Sequence, residues 1–125
     1  QSIAFRMEIT KEKLTVSGSA AELQLLVALL LKNAARAPAG SPSSVTLSCR
    51  RSHDVALIDI KDDAPVTEDL AEDPAQGDAA PHLAGAGLRL AIVRRLAAHH
   101  QATVAITENP LSEGGITARV VLPLL

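Results

Sequence analysis

The chain has 125 residues, of which 47% are hydrophobic, and a formal net charge of −2 at pH 7. This length suits a single domain built around one core. The chain contains one Phe and neither Trp nor Tyr, so base stacking on aromatic side chains is nearly excluded, and the charge offers no basic surface for nucleic acid. No apolar run approaches the roughly 18 residues of a membrane span, and the N-terminus lacks the pattern of a signal peptide. We therefore expect a domain that contacts neither nucleic acid nor a membrane.

Two further features concern the setting of the chain. Cys49 is the single cysteine and lies in an apolar, strand-like stretch, which indicates a buried thiol in a reducing compartment. The sequence begins with Gln rather than Met. We therefore expect a cytoplasmic domain that is a fragment of a larger protein.

The N-terminal residues predict a β-hairpin. Residues 3–9 alternate apolar and polar side chains, residues 11–13 form a polar turn, and residues 14–16 form a second short strand. Ser19 and Glu22 then have the spacing of a capping box, which marks the start of a helix.

Residues 22–37 predict a helix that is apolar on most sides. At about 100° per residue, its broad apolar face contains Leu23, Leu26, Val27, Leu30, Ala34 and Ala37. Such a helix must be covered on most sides and should lie centrally in the fold. Asn33 interrupts it, and Asn is a mediocre helix former. Either a function holds Asn33 there, or it is a partly exposed residue at a fraying helix end.

The middle of the chain predicts a second hairpin and then a long loop. Strands at residues 44–51 and 55–61 flank a turn at residues 52–54. Residues 62–84 are rich in Pro, Ala and acidic side chains and contain no Lys or Arg. We interpret them as an acidic, lid-like surface loop.

The last third predicts a glycine turn, a second helix at residues 85–100 and two strands. The predicted buried stripe of this helix is Leu88, Ala91, Ile92 and Leu96, with Arg94 and Arg95 towards solvent. The strands cover residues 103–107 and 116–122. About six strands and two long helices predict an α+β fold: a two-layer α/β sandwich with a mixed, largely antiparallel sheet and helices on one face.

Three features carry candidate chemistry. The glycine turn at Gly85 and Gly87 opens a helix, and helix N-termini bind phosphate readily. Asp62 ends an apolar strand, where a carboxylate can accept a hydrogen bond from an exocyclic amine. Asn33 can bind a hard cation through its amide oxygen. Each feature alone has an ordinary structural explanation, and only their order and spacing along one chain give them weight.

Together these features resemble the ATP-binding catalytic domain of sensor histidine kinases, in the superfamily that also includes gyrase, Hsp90 and MutL. The sequence LLLKNAARA resembles the N box, with Asn33 and Arg36 at its Asn and basic positions. IDIKDDAPV resembles the G1 box, with Asp62 at its adenine-reading Asp, and GAGLRLAIVRRLAAHH resembles the G2 box. The final stretch GGITARVVLPL continues the match almost to the C-terminus.

The resemblance implies a Bergerat-type fold and a function. ATP and Mg²⁺ would be the cofactors, with Mg²⁺ on Asn33 and nucleotide contacts from Asn33, Arg36, Asp62, Ala64, Val66, Gly85, Gly87, Leu88 and Arg89. The γ-phosphoryl group would pass to a His on a separate dimerisation domain of the same protein, which would then serve a response regulator in a two-component system. No catalytic residue is expected within these 125 residues, since none of the four His residues matches a phosphoacceptor motif. The parent protein could be membrane-anchored.

Departures from the family pattern leave an alternative open. Ala64 and Val66 replace both glycines of the usual DNGPG, Arg89 replaces the third glycine of the G2 box, and the aromatic F box of the lid is missing. A Cβ at such positions opposes φ > 0 and occupies pocket volume. The alternative is a degenerate relative that binds no nucleotide and acts as a regulatory or protein-docking module. A third hypothesis, an unrelated metal enzyme using His99 and His100, is weak because adjacent helical side chains diverge by about 100°.

Overall fold

A computed structural model describes residues 3–34, 43–63, 84–110 and 114–125; within these ranges, the side chains of residues 3, 43 and 84–89 are not described. In chain order the elements are β1 (Ile3–Ile9), α1 (Ala20–Ala34), β2 (Ser43–Ser52), β3 (Val55–Asp62), α2 (Ala84–His99), β4 (Thr103–Glu108) and β5 (Ile116–Pro123). The predicted strands and helices agree with these bounds to within a few residues, with one exception at residues 14–16.

The five strands form one mixed sheet in the order β1-β2-β3-β5-β4. The pairs β2–β3 and β4–β5 are antiparallel, as their short connections predict. β3 also pairs antiparallel with β5, which follows it in the chain only after α2 and β4. β1 instead pairs parallel with β2, in a register that aligns Phe5 with Val45 and Ile9 with Cys49. The predicted N-terminal hairpin is therefore wrong, because the partner of β1 is reached only after the chain has passed through α1.

Residues 14–16 are extended but belong to no strand. Leu14 and Val16 are partly buried against the core, and the carbonyl of Thr15 accepts a hydrogen bond from the backbone N–H of Leu125 at 2.9 Å. The apolar side chains of this segment cover the core beside the C-terminus. Their alternation with polar residues therefore reflects burial and not strand pairing.

The core lies between one face of the sheet and the two helices. Side chains alternate across each strand, and every second residue of β5, from Ile116 to Leu122, is buried. The buried apolar residues of the core cluster are Leu26, Leu30, Ala34, Val45, Ala56, Ile60, Leu90, Val93, Leu96, Ala97, Ala118, Val120 and Leu122. The predicted two-layer α+β architecture is confirmed, and it places α1 centrally as expected.

The buried stripe of α2 differs from the prediction. Leu96 is buried as predicted, but Leu90, Val93 and Ala97 are buried as well, whereas Ala91 and Ile92 face solvent. Residues 90–93 are all apolar, so the sequence gives no periodicity there to fix the rotation of the helix. Arg94 and Arg95 are exposed, as predicted.

Cys49 is half-buried on β2 rather than fully enclosed. Burial raises the pKa of its thiol, so the neutral form predominates over a wider range of pH than in a free thiol. Among the described residues, no helix is long and apolar enough to cross a membrane.

Candidate functional site

Asn33 and Asp62 line the same small cavity, although 28 residues separate them in the sequence. The cavity has a volume of about 10 Å³ and is otherwise lined by apolar side chains of α1, β3, β4 and β5, among them Leu30, Ile106 and Ile116. Asn33 is 5% exposed and Asp62 is 2% exposed. Buried polar side chains are more informative than buried apolar ones, and here an amide and a carboxylate line one otherwise apolar cavity. This cavity is therefore the candidate site.

Asp62 is the last residue of β3, and its neighbours fix its position. Its register partner on β2 is Val45. The following residue, Asp63, accepts hydrogen bonds from the backbone N–H and the hydroxyl of Ser44 at 2.8 and 3.0 Å. The end of β3 is therefore fastened to the start of β2, and the Asp62 carboxylate lies on the helix-covered face.

On its other side, Asp62 is held by the connection between β4 and β5. The side-chain amide of Asn109 donates to the carbonyl of Asp62 at 2.9 Å and to the carbonyl of Gly114 at 2.8 Å. Its oxygen accepts a hydrogen bond from the hydroxyl of Thr117 at 2.6 Å. The backbone N–H of Ile116 reaches the Asp62 carboxylate at 3.4 Å, a long contact.

Gly115 permits this approach of two chain segments. Its φ of +77° lies in the left-handed region that glycine tolerates best. A Cβ added there would overlap the carbonyl group of Asp62 and contact Asp63 Cα at 2.7 Å. Since these neighbours are backbone atoms, only glycine fits without moving the end of β3.

A second polar junction joins α1 to α2, at the helix ends remote from Asn33. The hydroxyl of Ser19 accepts a hydrogen bond from the N–H of Glu22 at 3.2 Å, so the predicted N-cap is confirmed. The return half of the capping box is absent among the described contacts: the N–H of Ser19 donates instead to Nε2 of His100 at 3.0 Å, and Glu22 contacts His99 at 3.0 Å. Nδ1 of His100 lies 2.9 Å from the carbonyl of Leu96. Both histidines therefore have helix-end roles.

The other predicted nucleotide contacts are only partly visible. Gly85, Gly87, Leu88 and Arg89 lie in the first turns of α2, whose helix begins at Ala84; the predicted turn is thus already helical at Gly85. Their side-chain surroundings, and all of Arg36, Ala64 and Val66, lie outside the described part of the structure. Residues 64–83, which make up most of the predicted acidic loop, also lie outside it.

A family comparison places this geometry in context. The sequence model described as "histidine kinase-, DNA gyrase B-, and HSP90-like ATPase" matches residues 18–125. The chain belongs to this ATPase family. Comparison with curated protein sequences gives no match.

Solved structures of histidine kinases share the fold of this ATPase domain. A mycobacterial sensor histidine kinase, MprB, is 25% identical, with a TM-score of 0.75 over 98% of this chain and 84% of that one. The catalytic domain of histidine kinase ThkA is 20% identical, with a TM-score of 0.77 over 97% of this chain and 78% of that one. Full-length ShkA in complex with AMPPNP is 21% identical, with a TM-score of 0.72, and the match covers 98% of this chain and 26% of ShkA. The recognised family and fold are both confirmed.

The sequence does not reveal that Asn109, Gly115 and Thr117 hold the end of β3 beside this cavity. The sequence predicts residues 109–115 only as the turn between two strands. The available signal was the family-like stretch GGITARVVLPL, which places two glycines directly before the strand that lines the cavity. What the pattern did not contain was the direction of the Asn109 side chain towards the end of β3.

Proposed function

We propose that this chain binds ATP with Mg²⁺ and serves as the catalytic domain of a two-component sensor histidine kinase. The observation that carries the proposal is the shared cavity of Asn33 and Asp62, two residues that the family resemblance assigns to metal and adenine. Membership of the ATPase family and the fold shared with histidine kinases support the same function.

Each residue has a role that follows from its chemistry. The carboxylate of Asp62 accepts a hydrogen bond from the exocyclic amine of adenine. Gly85 and Gly87 present backbone N–H groups at the N-terminus of α2, where the helix dipole favours phosphate. Arg36 and Arg89 supply positive charge that can pair with phosphate oxygens.

The residues present fit Mg²⁺ in the manner usual for nucleotide sites. No cluster of three or more His, Cys, Asp or Glu side chains that could form a metal cage occurs in the described ranges. Mg²⁺ commonly takes one or two protein oxygens and completes its shell with phosphates and water. The buried amide of Asn33 would provide the protein oxygen, and the ion would offset phosphate charge.

The phosphoryl acceptor would lie outside this chain. In this proposal, ATP held by the domain donates its γ-phosphoryl group to a His of the dimerisation domain of the same protein, and a response regulator receives it next. Positioning and charge stabilisation are the main demands of such a transfer.

Calorimetric titration of the chain with ATP, with and without Mg²⁺, tests the proposal. We expect saturable binding that Mg²⁺ strengthens, loss of the Mg²⁺ effect in Asn33→Ala, and at least tenfold weaker binding in Asp62→Asn, since a hydrogen bond to a charged group contributes about 1.5–3 kcal/mol. Asp59→Asn is the matched control, because Asp59 lies on the same strand but on the opposite face, paired with Arg119. Absence of binding at millimolar ATP would overturn the proposal.

A degenerate relative that docks or regulates a partner protein is the second candidate. It is favoured by Ala64 and Val66 at glycine positions of the family pattern, and by a cavity of only about 10 Å³, which is close to the room one water needs. In that case the titration gives no heat, and Asn33→Ala leaves the activity of the intact protein unchanged.

A further inference from the structure

We propose that Asn109 is a positioning residue that fixes the end of β3 and thereby sets the preference of the site for adenine over guanine. This inference rests on the proposed function, because it concerns how Asp62 recognises the base. Asn109 itself lies on the connection after β4 and need not touch nucleotide to have this effect.

The hydrogen-bonded ladder between β3 and β5 stops just before Asp62. The pairing of β3 with β5 ends at Lys61 and Thr117. Asp62 lies one residue beyond that last pair, and its carbonyl receives the side-chain amide of Asn109 at 2.9 Å. A side chain thus takes the place of a backbone donor and continues the ladder past its end.

Three side-chain hydrogen bonds fix the orientation of the Asn109 amide. Both N–H groups of the side-chain amide donate, one to the carbonyl of Asp62 and one to the carbonyl of Gly114, and the amide oxygen accepts from the hydroxyl of Thr117. The backbone N–H of Asn109 also donates to the carbonyl of Gly115 at 2.9 Å. An amide with this many partners has one orientation, so it holds the Asp62 carbonyl in one place.

The Asp62 carboxylate is carried by the backbone that Asn109 fastens. Because a side chain extends from its own Cα, the point from which the carboxylate reaches into the cavity depends on the backbone of Asp62, which is held by Asn109 and packed against Gly115. The N–H of Ile116 contacts the carboxylate from β5 at 3.4 Å, a long distance for a hydrogen bond.

The preference for adenine over guanine is the measurable property that depends on the direction of the Asp62 carboxylate. Adenine carries an amine at the position where guanine carries a carbonyl oxygen, so a correctly placed carboxylate accepts from adenine and repels guanine. A carboxylate free to turn away loses the hydrogen bond to adenine and the repulsion of guanine together. A change in the ratio of the two affinities is thus specific to positioning, whereas general destabilisation weakens both ligands alike.

The experiment measures dissociation constants of Mg²⁺-ATP and Mg²⁺-GTP by calorimetry for the wild-type chain, Asn109→Ala and Asn109→Asp. Asn109→Asp keeps the shape but removes both N–H donors, so it separates hydrogen bonding from volume. Arg119→Ala is the control, because it removes an ion pair with Asp59 on the open face of the sheet. Far-UV circular dichroism in urea gives the stability of each variant.

We expect the GTP-to-ATP ratio of dissociation constants to fall about tenfold or more in both Asn109 variants and to stay unchanged in Arg119→Ala. If the wild-type chain discriminates and both Asn109 variants discriminate equally well, the inference is overturned and the proposed function stands. If the wild-type chain binds neither nucleotide, the proposed function fails and the inference fails with it.

Discussion

The molecule has two polar junctions, one at the end of β3 and one between α1 and α2. They are built in similar ways but have different roles. At each, a buried polar side chain, Asp62 or His100, contacts the backbone N–H of a distant residue, Ile116 or Ser19. At each, a glycine with positive φ, Gly115 or Gly18, lies where a Cβ would collide with that partner residue. In both junctions the contacting residues, Asp62 and Ile116 or His100 and Ser19, lie far apart in the sequence.

The difference between them lies in what remains for a ligand. His100 has partners at both ring nitrogens, Ser19 and Leu96, so its polar capacity is used within the protein. Asp62 faces a cavity that it shares with Asn33. Burial of a polar group therefore does not by itself indicate a ligand site; Asp62 is a candidate because it shares a cavity with a second polar side chain.

The largest effect in this comparison is expected from the two glycines. Gly115→Ala should lower the free energy of unfolding by about 3 kcal/mol or more, because the added Cβ meets backbone atoms at a left-handed φ. Gly18→Ala should also be destabilising, because its Cβ would overlap the ring of His100, and turning that ring away would break the contacts of the ring with Ser19 and Leu96. Urea denaturation followed by far-UV circular dichroism measures both variants, and a loss below about 1 kcal/mol in either would contradict the role of that glycine in its junction.

The next effect concerns the helix junction alone. His100→Ala should lower the free energy of unfolding by about 2–4 kcal/mol, because it opens a cavity and leaves the Ser19 N–H without its acceptor. His100→Gln, which can accept and donate, should recover part of the loss. The same denaturation assay decides this, and a loss below about 0.5 kcal/mol would show that the junction adds little.

The smallest effect should be a gain. Gln101 follows α2 with φ of +55°, and the N–H of Ala102 returns to the carbonyl of Ala97 at 2.9 Å, as in a helix C-cap that favours glycine. Gln101→Gly should raise the free energy of unfolding by about 0.5–1 kcal/mol. Alanine at the same position is the control and should give no such gain. A neutral or destabilising glycine would show that the left-handed residue is not under strain.

Much of the fold could be predicted from the sequence because local signals agree with the tertiary contacts. Alternation in β3 and β5 identified both strands, and Ser19 marked the start of α1. Two errors have a common cause. The uniform apolar run at residues 90–93 carried no period, and residues 14–16 alternate without pairing, so only tertiary packing decides their orientation.

The candidate site divides in the same way. Asn33 and Asp62 were found because residue type and order along the chain resemble a family pattern, and the structure brings them to one cavity. Asn109 was not found, because its role depends on one side chain reaching across the end of a sheet. Such a contact leaves no periodic trace in the sequence.

The central claim, that Asn33 and Asp62 serve one nucleotide, has a direct test in solution. Titration of the ¹⁵N-labelled chain with Mg²⁺-ATP should shift the side-chain amide of Asn33 and the backbone amide of Ile116, which reports on the Asp62 carboxylate. The account predicts that both signals move with one dissociation constant, while the Arg119 signal on the open face stays in place. If neither the Asn33 nor the Ile116 signal moves at saturating nucleotide, the account is wrong.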